Sequence, residues 1–196
     1  MALEEELICQ GRWPVCGIDE AGRGPLAGPV VAAAVIMDPG ISLRAIVRDS
    51  KVISPSKRES IYEDLIQSEK VYVGVSMVGA RIVDSINILQ ATLQAMSEAV
   101  EDLGIEPDCA LVDGNKAPGL SCECITVVGG DRLEPSISAA SIVAKVIRDR
   151  HMIRMDNLYP GYGFAKHKGY PTKDHYNAIQ SIGICPIHRR SFRGVS

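Results

Sequence analysis

Val15-Cys16-Gly17-Ile18-Asp19-Glu20-Ala21-Gly22-Arg23-Gly24-Pro25-Leu26-Ala27-Gly28-Pro29-Val30 is the stretch around which the rest of the chain is organised. A short apolar run ends in two adjacent carboxylates. A tight turn, Gly22-Arg23-Gly24, follows, and the chain then re-enters an aliphatic run from Val30 to Met37. The pattern predicts a strand over about 14–20 and a second over about 29–37. The acids then sit where a strand opens into a loop whose glycines let backbone approach a ligand.

Further along, Ser54-Pro55 reads as a helix cap followed by proline at the first helical position, opening a helix to about Gln67. Val71, Val73, Val75 and Met77 alternate as in a strand. Asp84 or Ser85 is expected to cap a helix whose stripe is Ile86, Leu89, Leu93, Met96, Val100 and Leu103, with Gly104 stopping it. Ala110 to Asp113 and Cys124 to Val128 read as short strands. Pro135 opens a long helix to about Asn157, with Ile142, Val143, Val146, Ile147 and Ile153 inward and Lys145, Arg148 and Asp149 outward. Tyr159 to Pro171 reads as a loop, and Thr172 caps a last helix that Gly183 ends. Residues 1–13 read as polar and peripheral, and 44–53, containing Asp49-Ser50-Lys51, fit no single element. Strands separated by helices point to an α/β protein, a five-stranded mixed sheet flanked by helices.

A chain of 196 residues suffices for one domain with a full core, so 1–196 is expected to form a single unit. No run approaches the roughly 20 apolar residues of a membrane span. The acidic start, with Glu4, Glu5 and Glu6, is unlike a signal peptide, so a cytoplasmic location is expected. Six cysteines without zinc-site spacing read as reduced thiols. The net charge of −3 hides an asymmetry. Residues 145–196 carry 10 Lys and Arg against 3 acids, whereas 1–144 carry 11 against 21. An acidic body with a basic final quarter suits a protein that gathers cations at one place and a polyanion at another, although a lopsided solvated surface looks the same.

Three strand-like runs end in acids beside glycine-rich turns: Asp19 with Glu20, Asp113, and Asp131. On neighbouring strands they would place four carboxylates at one sheet edge, where open α/β sheets carry ligands. Clustered carboxylates raise one another's pKa unless a counter-charge is present, and hard oxygen donors suit Mg²⁺ or Mn²⁺ rather than zinc. Taken singly, Asp113 also fits the start of a turn, and Asp131 an acid at a helix N-terminus. Adjacent residues of a regular strand face opposite ways, so both Asp19 and Glu20 reaching one metal site predicts a break or bulge at Glu20.

The chain from about Val15 to Phe192 resembles the ribonuclease HII family. The resemblance rests on residues 19–30 and on Asp49-Ser50-Lys51, Asn87-Ile88-Leu89 and Val112-Asp113-Gly114-Asn115. It continues through 138–145, through Gly161-Tyr162-Gly163-Phe164 with 167–172, and through His188-Arg189-Arg190-Ser191-Phe192. It implies an RNase H-like fold with a C-terminal helical portion. It also implies an endoribonuclease that hydrolyses the RNA strand of RNA/DNA hybrids. Such an enzyme nicks duplex DNA on the 5′ side of an embedded ribonucleotide, leaves 3′-hydroxyl and 5′-phosphate ends, and so serves ribonucleotide removal. By motif match, Asp19, Glu20, Asp113 and Asp131 are the metal ligands, for one or two Mg²⁺ or Mn²⁺ ions. Gly22, Arg23 and Gly24 match a loop that reads the ribose 2′-hydroxyl, and Tyr170 a tyrosine that packs on the next sugar. Lys51, Lys145, Arg148, Lys166, Lys168, Arg189 and Arg190 are then candidates for phosphate contact, with the part from about 145 to 196 completing the nucleic-acid platform. His167 is expected to make a polar contact within its loop.

Val52 and Gly129 stand where the family often carries lysine. The 18 residues before Asp19 and the four after Phe192 predict neither the N-terminal domain of ribonuclease HIII nor a clamp-binding extension, and a monomer is expected. Two other readings remain open at this level: a carboxylate-metal nuclease such as a junction resolvase, and a non-catalytic hybrid-binding module.

Overall fold

Eight consecutive apolar residues, Val30 to Met37, short and preceded by Gly28-Pro29, fit a strand buried on both faces, and that strand organises two cores. The computed structural model describes residues 2–48 and 54–195. Asp49-Ser50-Lys51 and Val52 therefore lie outside the described residues. Elements follow the order α1 (Leu3–Cys9), β1 (Val15–Ala21), β2 (Val30–Met37), α2 (Leu43–Arg48), α3 (Pro55–Gln67), β3 (Val71–Val78) and α4 (Ala80–Glu101). After these come β4 (Cys109–Asp113), β5 (Glu123–Val127), a 3₁₀ turn (Gly130–Arg132), α5 (Pro135–Leu158), α6 (Phe164–His167) and α7 (Lys173–Ile182). The sheet order is β3-β2-β1-β4-β5. β1 pairs antiparallel with β2 and parallel with β4, β2 pairs antiparallel with β3, and β4 parallel with β5. The sheet is mixed and five-stranded, as expected.

All eight residues of β2 are buried. Val30, Ala32, Ala34 and Ile36 join Ile18, Val112 and the α4 residues Ala91, Ala95, Met96 and Ala99 in one core. Val31, Ala33, Val35 and Met37 pack on the other face against α3 and α5. The start of α5 approaches β1 so closely that a Cβ at Gly17 would stand 2.2 Å from Ile137 N. That approach brings a helix against the strand that carries the first acids.

Local signals hold where a side chain acts within its own turn. Ser54 Oγ accepts from Lys57 N at 3.2 Å to cap α3, and Thr172 Oγ1 accepts from His175 N at 3.2 Å to cap α7. Four expectations need correction. First, α4 begins at Ala80, not at Asp84 or Ser85. Its interruption is Asn87 (φ 68°), whose Oδ1 accepts from Leu89 N at 2.9 Å and Gln90 N at 3.1 Å and so caps the second half. Asp84 instead accepts from Arg190 N and Ser191 N, both at 2.9 Å, more than 100 residues along the chain. The deeply buried row of α4 is mostly small residues around Met96, with Ile86, Leu93 and Val100 flanking it half-buried.

Second, Arg148 lies inside rather than outside α5, and Ile153 is 46% exposed rather than inward. Third, α6 forms within the expected 159–171 loop. Fourth, residues 1–13 are docked rather than peripheral. The Glu4 carboxylate, fully buried, accepts from Ser136 N at 2.9 Å at the start of α5 and from Arg44 Nη1 at 2.6 Å. Glu134 returns the favour to α1 by accepting from Leu3 N at 3.0 Å and Glu4 N at 2.9 Å. Each carboxylate thus meets the open N–H groups of the other's helix.

Residues 159–195 close over the far end of α5 through Ala27, Met152, Tyr162 and Phe164. Two histidines line up there. Cys185 N donates to His188 Nδ1 at 3.0 Å, the two Nε2 atoms of His188 and His175 are 3.1 Å apart, and His175 Nδ1 meets Tyr170 O at 3.0 Å. Two neutral rings satisfy the pattern, with His188 Nε2–H donating to His175 and His175 Nδ1–H donating to Tyr170. Burial first, and the neighbouring His175 second, push His188 down to about 4. Since the folded ring resists a proton that the unfolded ring takes up near 6.5, stability is complete above that value and falls as pH drops toward 4. Melting temperature measured across this window should decline in the wild type, and the decline should be shallower in His188→Gln.

Candidate active site

Neighbouring parallel strands β1 and β4 are in register at Ile18 and Val112, so Asp19 and Asp113 follow side by side at the same sheet edge. Asp19 is 6% exposed, and its Oδ1 accepts from Glu20 N at 2.7 Å. Burial above all, then the charges of Glu20 and Asp113, push its carboxyl up to about 8, against a lowering contact from Ser141. Glu20 is also raised by burial, with the guanidinium of Arg23, at 3.1 Å, opposing the shift. Asp113 Oδ1 accepts from Gly130 N at 2.7 Å, which ties the end of β4 to the 3₁₀ turn that carries Asp131.

The expected strand break at Glu20 does not occur. β1 stays in register with β2 through Glu20 opposite Ala32 and Ala21 opposite Val31. Asp19 and Glu20 therefore leave on opposite faces, Asp19 toward α5 and Glu20 toward the α4 side, and they flank the strand end rather than sharing a face. Pairing with β2 on to Ala21 keeps the strand regular there.

Glu20 and Asp131 line one open cleft of about 620 Å³ together with Gly22, Arg23, Gly24, Lys145 and Tyr170. Asp113 lines a small adjoining hollow with Glu20, Arg23, Leu93 and Lys116. Among the described residues, no three His, Cys, Asp or Glu side chains stand close enough to hold a metal ion as they are arranged. Chemically the donor set fits a hard divalent cation: carboxylate oxygens only, one of them raised by burial first and by the neighbouring acids second.

The two loop glycines have different reasons. At Gly22 (φ +99°) a Cβ would stand 2.0 Å from Arg148 Nε, so the fold itself excludes any side chain. At Gly24 the nearest atom to a Cβ is Tyr170 Cε1 at 3.9 Å, which is ordinary contact. Tyr170 is 42% exposed above Lys145, whose Nζ is 5.9 Å from the ring centre.

The basic candidates separate sharply. Lys145 lines the cleft and pairs with Asp149 at 2.8 Å. Lys168 Nζ donates to Ala165 O, and Lys166 pairs with Asp174 at 2.7 Å. Arg190 lines a different hollow, with Arg81 and Asp84. Arg148 and Arg189 are corrections, because both are fully buried and their guanidinia bond backbone carbonyls, so neither presents a charge to a phosphate. His167 makes the loop contacts expected of it, to Tyr162 O at 2.8 Å and from Gly169 N at 3.1 Å. Arg58, Arg132, Ser138 and Ser141 line the cleft without having been singled out. Ser138 and Ser141 stand in one of the motifs that carry the resemblance, whereas Arg58 on α3 carries no signal that separates it from a solvated helix face.

A family model described as "Ribonuclease HII" matches residues 16–195. The chain is 50% identical to a ribonuclease HII of Caldicellulosiruptor bescii over 97% of its own length and 91% of the relative's. It is 51% identical to one of Polynucleobacter asymbioticus over 92% and 93%. Among solved structures it is similar to the ribonuclease H2 from Pyrococcus horikoshii, with a TM-score of 0.76 and 28% identity, covering 92% of this chain and 94% of that one. The RNase HII of Archaeoglobus fulgidus, solved as a complex with PCNA, gives 0.77 at 25% identity over 92% and 96%. Bst-RNase HIII, solved with Mn²⁺, shares the fold at a TM-score of 0.68 and 18% identity, over 92% of this chain and 67% of that one.

Proposed function

This chain belongs to the ribonuclease HII family of hydrolytic endonucleases, and we propose that it nicks duplex DNA 5′ to embedded ribonucleotides and cuts the RNA strand of RNA/DNA hybrids. The observation that carries this reading is Gly24. It lines the cleft beside Glu20 and Asp131, and the fold leaves room there for a side chain that the sequence does not supply. A position kept bare without an internal cause suits the close approach of a ligand's sugar, and the 2′-hydroxyl is the group that marks ribose. Tyr170, exposed beside Gly24, would pack on an adjoining sugar.

Asp19, Glu20, Asp113 and Asp131 would hold Mg²⁺ or Mn²⁺, and the ions would supply activation of the attacking water and stabilisation of the departing 3′-oxygen. The protein's own part is to keep Asp19 buried and crowded, to restrain Glu20 through Arg23, and to anchor Asp113 to the turn bearing Asp131. Lys145, with Lys168 and Arg190 farther out, is the candidate for phosphate contact in the basic C-terminal part. No helix among the described residues is long and apolar enough to cross a membrane, and six unpaired cysteines suit a reducing compartment such as cytoplasm.

The test is incubation with Mg²⁺ or Mn²⁺ of a DNA duplex carrying one ribonucleotide, beside an all-DNA duplex of the same sequence. A nick on the 5′ side of the ribonucleotide, absent from the control, is the expected product. Equal nicking of both duplexes, as from a junction resolvase, or binding without any nick, as from a hybrid-binding module, would remove the 2′-hydroxyl reading.

A further inference from the structure

The buried arginines that do not meet phosphate do something else. Arg189 Nε donates to Gly28 O at 3.0 Å, its Nη1 to Arg23 O at 3.0 Å and Pro25 O at 2.8 Å, and its Nη2 to Gly22 O at 2.6 Å. Arg148 Nε donates to Pro29 O at 3.0 Å and its Nη2 to Ala27 O at 3.2 Å. Two side chains thus hold six carbonyls between residues 22 and 29. Both are fully buried, and among the described residues neither has a carboxylate within 4 Å. Burial of an unpaired guanidinium is costly, and burial pushes Arg189 down to about 9. Carbonyl dipoles offset much of that cost, together with the Phe192 ring 5.0 Å from Arg189 and the Tyr170 ring 5.8 Å from Arg148, so the arginines and the loop support each other.

The consequence lies in the peptide planes. Carbonyls drawn inward leave the opposite edges of these peptides outward. The N–H groups of Leu26 and Gly28 go to Gly169 O at 2.8 Å and Ile187 O at 2.9 Å, whereas those of Arg23 and Gly24 enter none of the loop's backbone bonds among the described residues. Arg23 and Gly24 are also the residues that line the cleft. Arg148 runs beneath Gly22, and its guanidinium stands 5.8 Å from the Tyr170 ring centre with Nη1 buried and without a hydrogen-bond partner.

We propose that Arg189, supported by Arg148, is a positioning residue that sets the outline of the 22–29 loop and thereby the seating of the ribose against the acids. The proposal rests on the ribonucleotide reading above. A lysine keeps the charge but offers its donors from one point, and cannot reach four carbonyls spread over seven residues.

Arg189→Lys and Arg148→Lys should be assayed on the single-ribonucleotide duplex with Mg²⁺, at a temperature where circular dichroism shows each variant folded. For Arg189→Lys, kcat should fall roughly 100-fold, as for a reacting group displaced by about 1 Å, while KM stays near the wild-type value. Arg148→Lys should move the same way by less. A residue that only stabilises would lower the melting temperature and leave kcat of the folded variant unchanged. A folded Arg189→Lys with wild-type kcat, or with its loss confined to KM, overturns the proposal. Should Arg189→Lys not fold, Arg148→Lys decides by the same two criteria. Failure of the ribonucleotide reading would show elsewhere, as equal rates for the wild type on ribonucleotide and all-DNA duplexes.

Discussion

Asp19→Asn lowers the rate of nicking at a single ribonucleotide by roughly 10³-fold or more, while the uncut duplex still binds within a few-fold of wild type. The expectation follows from where Asp19 sits. It is the most buried of the four acids, it adjoins Asp113 on the parallel neighbour strand, and its carboxyl is raised by burial, Glu20 and Asp113 in that order. A group this strained electrostatically is one that a divalent cation would relieve, so it contributes to ion binding more than an exposed carboxylate would. Asparagine preserves the shape, and its carbonyl can still accept from Glu20 N, so the strand end should hold. The phosphate contacts proposed above would lie on other elements, notably through Lys145 on α5, which is why binding should survive. Cleavage rate in Mg²⁺ and Mn²⁺ together with duplex affinity measured without cleavage decides the matter. Normal cutting by Asp19→Asn would refute the metal site as drawn.

Alanine at Gly22 and at Gly24 should fail in opposite ways. At Gly22 a Cβ meets Arg148 Nε at 2.0 Å on a residue with φ of +99°, in the left-handed region. Strain and overpacking together should cost about 2–5 kcal/mol, lowering the melting temperature by about 5–15 °C for a chain of this size. At Gly24 a Cβ has 3.9 Å of clearance, so stability should change by less than about 0.5 kcal/mol. If the bare backbone there serves a bound sugar, Gly24→Ala should nevertheless lose roughly 100-fold in nicking, because small displacements at the reacting centre are expensive. Melting curves and nicking rates for the two variants form a crossed pair. A stable, fully active Gly24→Ala would leave that glycine without a functional reason.

Much of the architecture was legible because its causes are local. β2 announces itself through eight apolar residues in a row, α3 through Ser54-Pro55, and α7 through Thr172 and Gly183. The candidate site was legible in part for the same reason, since Asp113 is the last residue of β4 and Asp19 and Glu20 fall within the last three of β1. Errors arose where a polar group serves a distant partner. Asp84 looks like a helix cap but holds residues 190 and 191, and Glu4 looks like a surface acid but caps α5. Arg148 and Arg189 look like phosphate ligands for the same reason: a basic residue in a basic segment carries no local mark of burial.

By itself, the sequence determined which residue types could be brought to one sheet edge, because strand ends, glycine turns and acids are spelled out in consecutive residues. The tertiary structure alone decided which of the basic residues face the cleft and which turn inward. It also decided that β1 runs unbroken past Glu20, so the first two acids flank the strand end instead of sharing a face. The physical reason is range. Periodicity and capping act over a few residues, whereas the contacts that settle the 22–29 loop join it to Arg148 and Arg189 across more than 100 residues.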